Sequence, residues 1–483
     1  MVIFVLALVP LLQVTHANTA WAEESDGFLQ AIFHDGIERF VEPVSFEDNG
    51  IVPMGPQTDP GALVDGETNV PPYDGPLAGT FKFNGNNSPS GESGHEKKWY
   101  DRLSVRGYAQ FRFNDVVHME PGSAPPYHSG DGSVSGDRNF LIRRARLIVS
   151  GDVHENVFVY LQADFANSVQ GSIDQEYYAQ MRDWYADLYV TKDKVHRFRV
   201  GQSKIPYGWE KMQSSSNRIP LDRADGLNSA QRNERDLGIF YYYTPVWVQD
   251  IFEEVMEKNL KGSGNYGMFG VGIYNGQGGS NRDFNSDVHA VARLTWPIKT
   301  ATGQIMELGI QGYTGQYVVL GSPILPDGIG PPVTPSGTGV APGQLDQRLA
   351  GSLIIYPQPW GFQSEWNIGR GPSLNDAQTA VVTRSLYGGY AMLFYKYDSP
   401  TLGTFFPYVR YDYYRGGYKV VRNAPFSVTN DWELGCEWQF NSSVELTAAY
   451  LFADRTNLNA MSSGESYRPF IGNVLRFQLQ VNY

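Results

Sequence analysis

The sequence contains no apolar run approaching the roughly 20 residues that a membrane-crossing helix requires, and its mean hydropathy is −0.35. A helical membrane protein is therefore excluded. There is a single cysteine, Cys436, so no internal disulfide can form. Alternation places Cys436 on one face with Trp432, Leu434, Trp438 and Phe440, the setting of a small apolar residue rather than of a reactive thiol. No Cys/His cluster has the spacing of a structural zinc site, and no two of the eight histidines stand at metal-ligand spacing. Neither a metal nor a cofactor is expected. No basic stripe marks a nucleic-acid surface, which argues against a nucleic-acid partner. The Gly-x-Ser-x-Gly elbow of many hydrolases is missing; Gly132-Ser133-Val134-Ser135-Gly136 only approaches it. An enzyme is not expected.

These absences leave 483 residues that make either two or three soluble domains or one large barrel. What the chain does have is alternation. It ends Leu475-Arg476-Phe477-Gln478-Leu479-Gln480-Val481-Asn482-Tyr483, apolar on every second residue up to a terminal aromatic. Such a strand suits the closing strand of an outer-membrane barrel, with lipid on one side and a wet lumen on the other. An edge strand of a soluble sandwich alternates in the same way. Leu103, Val105, Gly107, Ala109, Phe111 and Phe113 alternate with Ser104, Arg106, Tyr108, Gln110 and Arg112. Similar segments recur to the end, and about sixteen strands are predicted between residues 103 and 483. An even count suits a bacterial barrel, and about sixteen strands enclose an aqueous channel. Tight turns such as Pro357–Pro359 and Asn441–Ser442 alternate loosely with long loops at 114–138, 204–234, 276–286, 318–346 and 456–472. Aromatics make up 14% of the chain and often close the strands, as in an interfacial girdle. The expected fold is thus all-β, a transmembrane antiparallel β-barrel.

The amino terminus reads as an export signal. An apolar core precedes Ala20-Trp21-Ala22, a small-x-small site, and cleavage is expected after Ala22. No Lys or Arg precedes that core, a departure from the usual pattern; the first is Arg39. Residues 23–98 are rich in Gly, Pro, Asp and Asn. They hold fourteen Asp/Glu against four Lys/Arg, a balance of −10 out of the chain's −13. They read as an acidic periplasmic arm or linker with one short helix at Phe28–Glu42. The barrel domain is assigned to residues 99–483.

Several segments together resemble the phosphate-selective porin O/P family. Phe140-Leu-Ile-Arg143-Arg144-Ala145-Arg146 is similar to the family's second strand, and Asp183-Trp-Tyr-Ala-Asp187-Leu-Tyr189 to its fourth. Most specific is Arg199-Val-Gly201-Gln202-Ser-Lys204-Ile-Pro206-Tyr207-Gly208-Trp-Glu210, with Ser214-Ser215 shortly after and Arg235-Asp236-Leu237-Gly238 beyond. Pro206 and Gly208 suit a bend off the barrel wall. The segment to Glu234 is then expected to fold inward as a constriction loop. The resemblance covers about residues 100–483. It implies an outer-membrane porin of a diderm bacterium, a homotrimer embedded in lipid, passing phosphate, polyphosphate or other small anions.

A pore selects by the charges at its narrowest part, and Arg or Lys lining suits anions and phosphate. Strand parity points Arg106, Arg112, Arg144, Arg146, Arg197, Arg199, Arg293 and Arg410 inward. The constriction loop adds Lys211, Arg218, Arg223 and Arg232. The anion path is assigned to Arg106, Arg144, Arg146, Arg199, Lys211, Arg218, Arg223 and Arg232. Arg143 has the opposite parity and is expected at the rim. Against this stands simple pairing. Asp164, Asp187, Glu307, Glu365, Asp412, Glu433, Glu437 and Glu445 share the inward parity, and Glu210, Asp222, Asp225 and Glu234 balance the loop. A weakly selective diffusion porin fits these charges equally. An outer-membrane barrel enzyme and a surface adhesin remain as readings from other classes.

Overall fold

Alternating apolar and polar residues form strands when each face has its own solvent. The computed structural model contains sixteen long strands. They are β1 (Leu103–Met119), β2 (Asn139–His154), β3 (Val157–Asn167), β4 (Tyr178–Tyr189), β5 (His196–Lys204), β6 (Arg235–Tyr243), β7 (Phe269–Tyr274) and β8 (His289–Lys299). They continue as β9 (Ile305–Tyr317), β10 (Gln344–Ile355), β11 (Trp360–Leu374), β12 (Val381–Tyr395), β13 (Gly403–Gly417), β14 (Phe426–Gln439), β15 (Val444–Leu458) and β16 (Tyr467–Asn482). The structure describes residues 81–82, 99–124, 126, 128, 131, 133–134, 139–167, 178–230, 234–326, 331–458 and 467–483. The export signal, the helix at 28–42 and all of the acidic arm except Phe81–Lys82 lie outside the described residues.

Each strand pairs antiparallel with its neighbours in sequence, and β16 closes on β1. At the seam Gly107 and Tyr483 exchange two backbone hydrogen bonds, 2.6 and 2.9 Å. Closure leaves no open strand edge to face hydrocarbon, the condition a membrane sets on a sheet. Phe81–Lys82 pairs with Val105 and Ser104 of β1.

The two faces show which solvent lies outside. Trp184, Trp296 and Trp432 are 55%, 50% and 52% exposed, while Arg112 and Arg348 are 1% and 0% exposed. A water-soluble protein distributes these residues the other way. The apolar outer face is therefore lipid-facing, and the lumen holds the charges. Aromatics band one end of the barrel: Trp360 packs on Tyr395 at 4.9 Å, and Phe405 on Trp438 at 5.2 Å.

Strands extend further than alternation alone predicts. β1 has 17 residues and β16 has 16, against the roughly 9–11 that cross a bilayer. Pairing of β1 with β16 continues through polar Asn114 and Asp115, past a bulge at Asn473/Val474, to Met119. The hairpins therefore project at the end that carries the long loops, the outer end by barrel habit.

Among the described residues, three α-helices interrupt the strands: α1 (Trp209–Met212), α2 (Asp225–Asn228) and α3 (Val246–Glu257). The first two lie in the inward loop. The third lies in the connection 244–268, at the opposite, short-turn end. Sequence alternation gave no element there.

Candidate functional site

The inward loop leaves β5 where expected. Gly208, at φ 82°, precedes α1, and a left-handed conformation of this kind costs glycine little. Lys204 donates to the Met212 and Gln213 carbonyls at 2.9 and 2.8 Å, tying off the end of α1. The Glu365 carboxylate of β11 accepts the backbone N–H groups of Trp209 and Glu210. Further on, Arg348 of β10 donates to the Ser229 hydroxyl and carbonyl at 2.8 and 3.1 Å. Asn367 of β11 donates to the Gly226 carbonyl at 2.9 Å. The loop is thus fastened across the lumen, and its residues are almost all buried.

A second segment enters the lumen from the short-turn end. α3 buries Val248, Phe252 and Val255. Val255 and Leu260 form an apolar cluster with Trp209 of the inward loop and with Ile305, Ile354 and Tyr356. Gln213 and Asn217 of the loop donate to the Lys261 and Gly262 carbonyls at 2.7 and 2.8 Å. The Lys261 ammonium pairs with Glu437 of β14, both nearly inaccessible. Residues 258–263 therefore run beneath the loop and reach a distant part of the wall.

Most lumen arginines are neutralised. Arg146 pairs with Asp164 at 2.8 Å, Arg199 with Asp187 at 2.7 Å, Arg293 with Glu307 at 2.9 Å and Arg410 with Glu210 at 3.0 Å. Arg223 pairs with Glu234. Of the residues assigned from sequence to the anion path, Arg146, Arg199 and Arg223 therefore have carboxylate partners. Arg106 is half-buried on β1, and Arg232 lies outside the described residues. Lys211 is buried with no hydrogen-bond partner for its Nζ among the described residues. Burial pushes its ammonium well below its ordinary value, and the nearby Lys419 and Arg348 push the same way, against Glu234.

Arg144 and Arg218 differ. Among the described residues neither has a carboxylate within ion-pair distance. Among the described residues the Arg144 guanidinium donates from Nη1 to the Gln110 side chain at 2.7 Å and makes no other protein hydrogen bond. Its charged neighbours are Arg143, Arg146, Arg218 and Arg112. Arg218 donates to the Pro220 and Leu221 carbonyls, and its Nη1 has no partner.

Two bulges add arginines that a strict period of two misses. On β2, Arg144 faces Gln110 and Ile142 faces Phe111, so Arg143 is the extra residue. An inserted residue re-aims side chains locally. Arg143 lies beside Asp131 at 3.3 Å and Asp222 at 3.7 Å rather than at a lipid-side rim. On β4, Arg182 is likewise unpaired in register, between Met181 and Asp183. It is buried, and its guanidinium hydrogen-bonds only to the Gln180 side chain, at 3.2 Å, among the described residues.

Asp222 anchors this wall. Arg112 reaches it at 2.8 Å and Arg476 at 2.6 Å. Burial raises the Asp222 carboxyl, but Arg112 and Arg476 outweigh that and hold it well below the usual carboxylate range. Its contribution to loop docking is present above that range and disappears only as pH falls through its own depressed value. Arg112, Arg143 and Arg476 share Asp131 and Asp222, three guanidiniums against two carboxylates. With Arg144 and Arg218 this part of the lumen is net positive.

A closed, lipid-faced barrel with a charged lumen and a fastened inward loop is the frame of a channel. Residues 126–483 match the family described as phosphate-selective porin O and P. The chain belongs to that family. The porin is accordingly an outer-membrane channel, and family and fold point away from an enzyme. No curated protein matches it in sequence. Similar solved structures include the outer membrane channel DcaP of Acinetobacter baumannii, at 11% identity and TM-score 0.44, covering 79% of this chain and 97% of that one. The trimer form of OmpT, an outer membrane protein of Vibrio cholerae, matches at 11% identity and TM-score 0.45, covering 79% and 100%. OmpF of Salmonella typhi in complex with daunomycin matches at 12% identity and TM-score 0.46, covering 79% and 97%.

Proposed function

We propose that the porin is a passive channel for small anions, phosphate or polyphosphate among them, and that Arg144 and Arg218 are the contacts that favour them. Arg144 carries the reading. It is a lumen guanidinium among four other arginines, without a carboxylate partner among the described residues and with N–H groups to spare. A planar guanidinium with free donors is suited to two phosphate oxygens at once. Arg146, Arg199 and Arg223 act instead as scaffold, each engaged by a carboxylate. In this reading residues 1–22 direct export and are removed, 23–98 form a periplasmic arm, and the channel assembles as a homotrimer in the outer membrane.

The test is single-channel recording in planar bilayers under a salt gradient, then with added phosphate. An anion-directed reversal potential and block of chloride current by phosphate, both reduced in Arg144→Ala, support the reading. Conducting steps without anion preference would make the protein a general diffusion porin.

A further inference from the structure

Carboxylates collect immediately beside the arginine-rich wall. A cavity with about 440 Å³ of empty space, part of it continuous with solvent, is lined by residues of β13, β14 and β15, by the inward loop, and also by Asp131, Asp222 and Arg476 of the arginine-rich wall. Asp225 and Asp431 share one guanidinium, that of Arg455, at 2.6 and 2.5 Å. Asp412 and Glu433 line the same cavity, and among the described residues neither forms an ion pair. Arg410, the register partner of Glu433, is engaged by Glu210. Among the described residues the Glu433 carboxylate accepts only the Tyr408 hydroxyl, at 2.6 Å. Asp412 is 8% exposed; its Oδ2 accepts the Asp225 N–H at 3.2 Å, and its Oδ1 has no partner.

A buried carboxylate oxygen without a donor is costly, and such orphans mark sites completed by something else. The missing donor is cationic, since the surrounding wall is already short of positive charge. A bare metal ion is disfavoured, because no three described carboxylate, imidazole or thiol groups converge to hold one. Asp412 faces Asp431, two residues from Glu433, so the two free carboxylates are diagonal neighbours across a strand pair. Diagonal neighbours stand roughly 7–8 Å apart, their Cβ atoms somewhat closer, a span suited to a group with several N–H donors rather than to one ion.

We propose that Asp412 and Glu433 form a subsite for the primary ammonium group of a permeating solute, beside the arginine-rich wall that favours anions. The inference rests on the channel reading but not on phosphate preference. A zwitterion carrying both charges would meet complementary groups at both places.

The experiment records full-length porin in planar bilayers at pH 8 with cadaverine, a diammonium without a carboxylate, added on one side. Wild type is expected to show concentration-dependent block or current noise. Glu433→Gln and Asp412→Asn should each weaken the apparent affinity by about tenfold, the scale of one charge-assisted hydrogen bond. Asp412→Asn touches the α2 contact, so Glu433→Gln is the deciding variant, with folding checked by heat-modifiable gel migration. Arg144→Ala removes a positive charge and should not weaken cadaverine block, which separates this subsite from the anion path. Equal block of wild type and folded Glu433→Gln, or no block of wild type, overturns the proposal.

Discussion

At the scale of single residues, partners decide what an arginine does. Arg144 and Arg146 are two positions apart on β2 and share a face, yet only Arg146 has a carboxylate, Asp164. Removing Arg146 leaves Asp164 buried without its partner, which costs about 3–5 kcal/mol. Arg146→Ala is therefore expected to lower the temperature of heat-modified migration. Arg144→Ala should keep that temperature and reduce anion preference. A matched loss of stability in both would remove the distinction. Gly226 gives a second prediction. A Cβ there would lie 2.7 Å from the Gly389 nitrogen and 2.8 Å from the Gly388 carbonyl carbon, both backbone atoms of β12. Gly226→Ala should push α2 off the wall and alter conductance without unfolding the barrel; an unchanged conductance would show that the loop absorbs the methyl. Which arginines face inward was legible from parity, as Arg112, Arg144, Arg146, Arg197, Arg199, Arg293 and Arg410 are all buried. Which are free was not, because parity does not say which carboxylate meets which arginine: Asp164, Asp187 and Glu307 come from neighbouring strands, while Glu210 and Asp222 arrive from the distant inward loop. Arg143 and Arg182 were hidden for another reason: a bulge breaks the period on which parity rests.

At the scale of elements, alternation revealed the strands and the Pro206–Gly208 bend revealed the inward loop. The connection 244–268 was missed. Its signal was present: Val248, Phe252 and Val255 recur at helical spacing after Pro245. A search tuned to period two passes over it. The segment matters because it closes part of the lumen from the short-turn end. Asn259 and Lys261 take φ of 52° and 63°, a left-handed backbone that costs non-glycine residues on the order of 1 kcal/mol or more. The Lys261–Glu437 pair and the Gln213 and Asn217 hydrogen bonds hold the segment there against that strain. Lys261→Ala removes the pair and, among the described residues, leaves the Glu437 carboxylate only the Gln439 amide at 2.8 Å. The segment should then leave the lumen part of the time. Single-channel records should show larger mean conductance with added flicker, while Lys258→Ala, whose partner Glu254 lies on the same helix near the rim, should resemble wild type. Equal conductance in Lys261→Ala would mean that the apolar cluster around Trp209 suffices to hold the segment.

At the scale of the whole molecule, the barrel separates charge by position in the lumen. Around Asp222 the guanidiniums outnumber the carboxylates, and around Asp412 the reverse holds. The separation arises because loop acids Asp222 and Asp225 go to different parts of the wall, the first to Arg112 and Arg476, the second to Arg455. With most charges paired, the surplus at each place is small. Ion preference must therefore come from a few unpaired groups acting through water, and water with salt screens them. The screening length is about 10 Å at 0.1 M and about 3 Å at 1 M ionic strength. In the proposed reading, Arg144 and Arg218 act across the lumen on any passing anion at low salt. At high salt they act only on one in contact. Reversal potentials under a fixed tenfold gradient should thus show clear anion preference with the dilute side at 10 mM and little with it at 300 mM. Phosphate block, which in the proposed reading needs contact with Arg144, should weaken less over the same range. A chloride preference that persists at high salt would place the selecting charges in a tighter, drier ring than the paired lumen of this barrel provides.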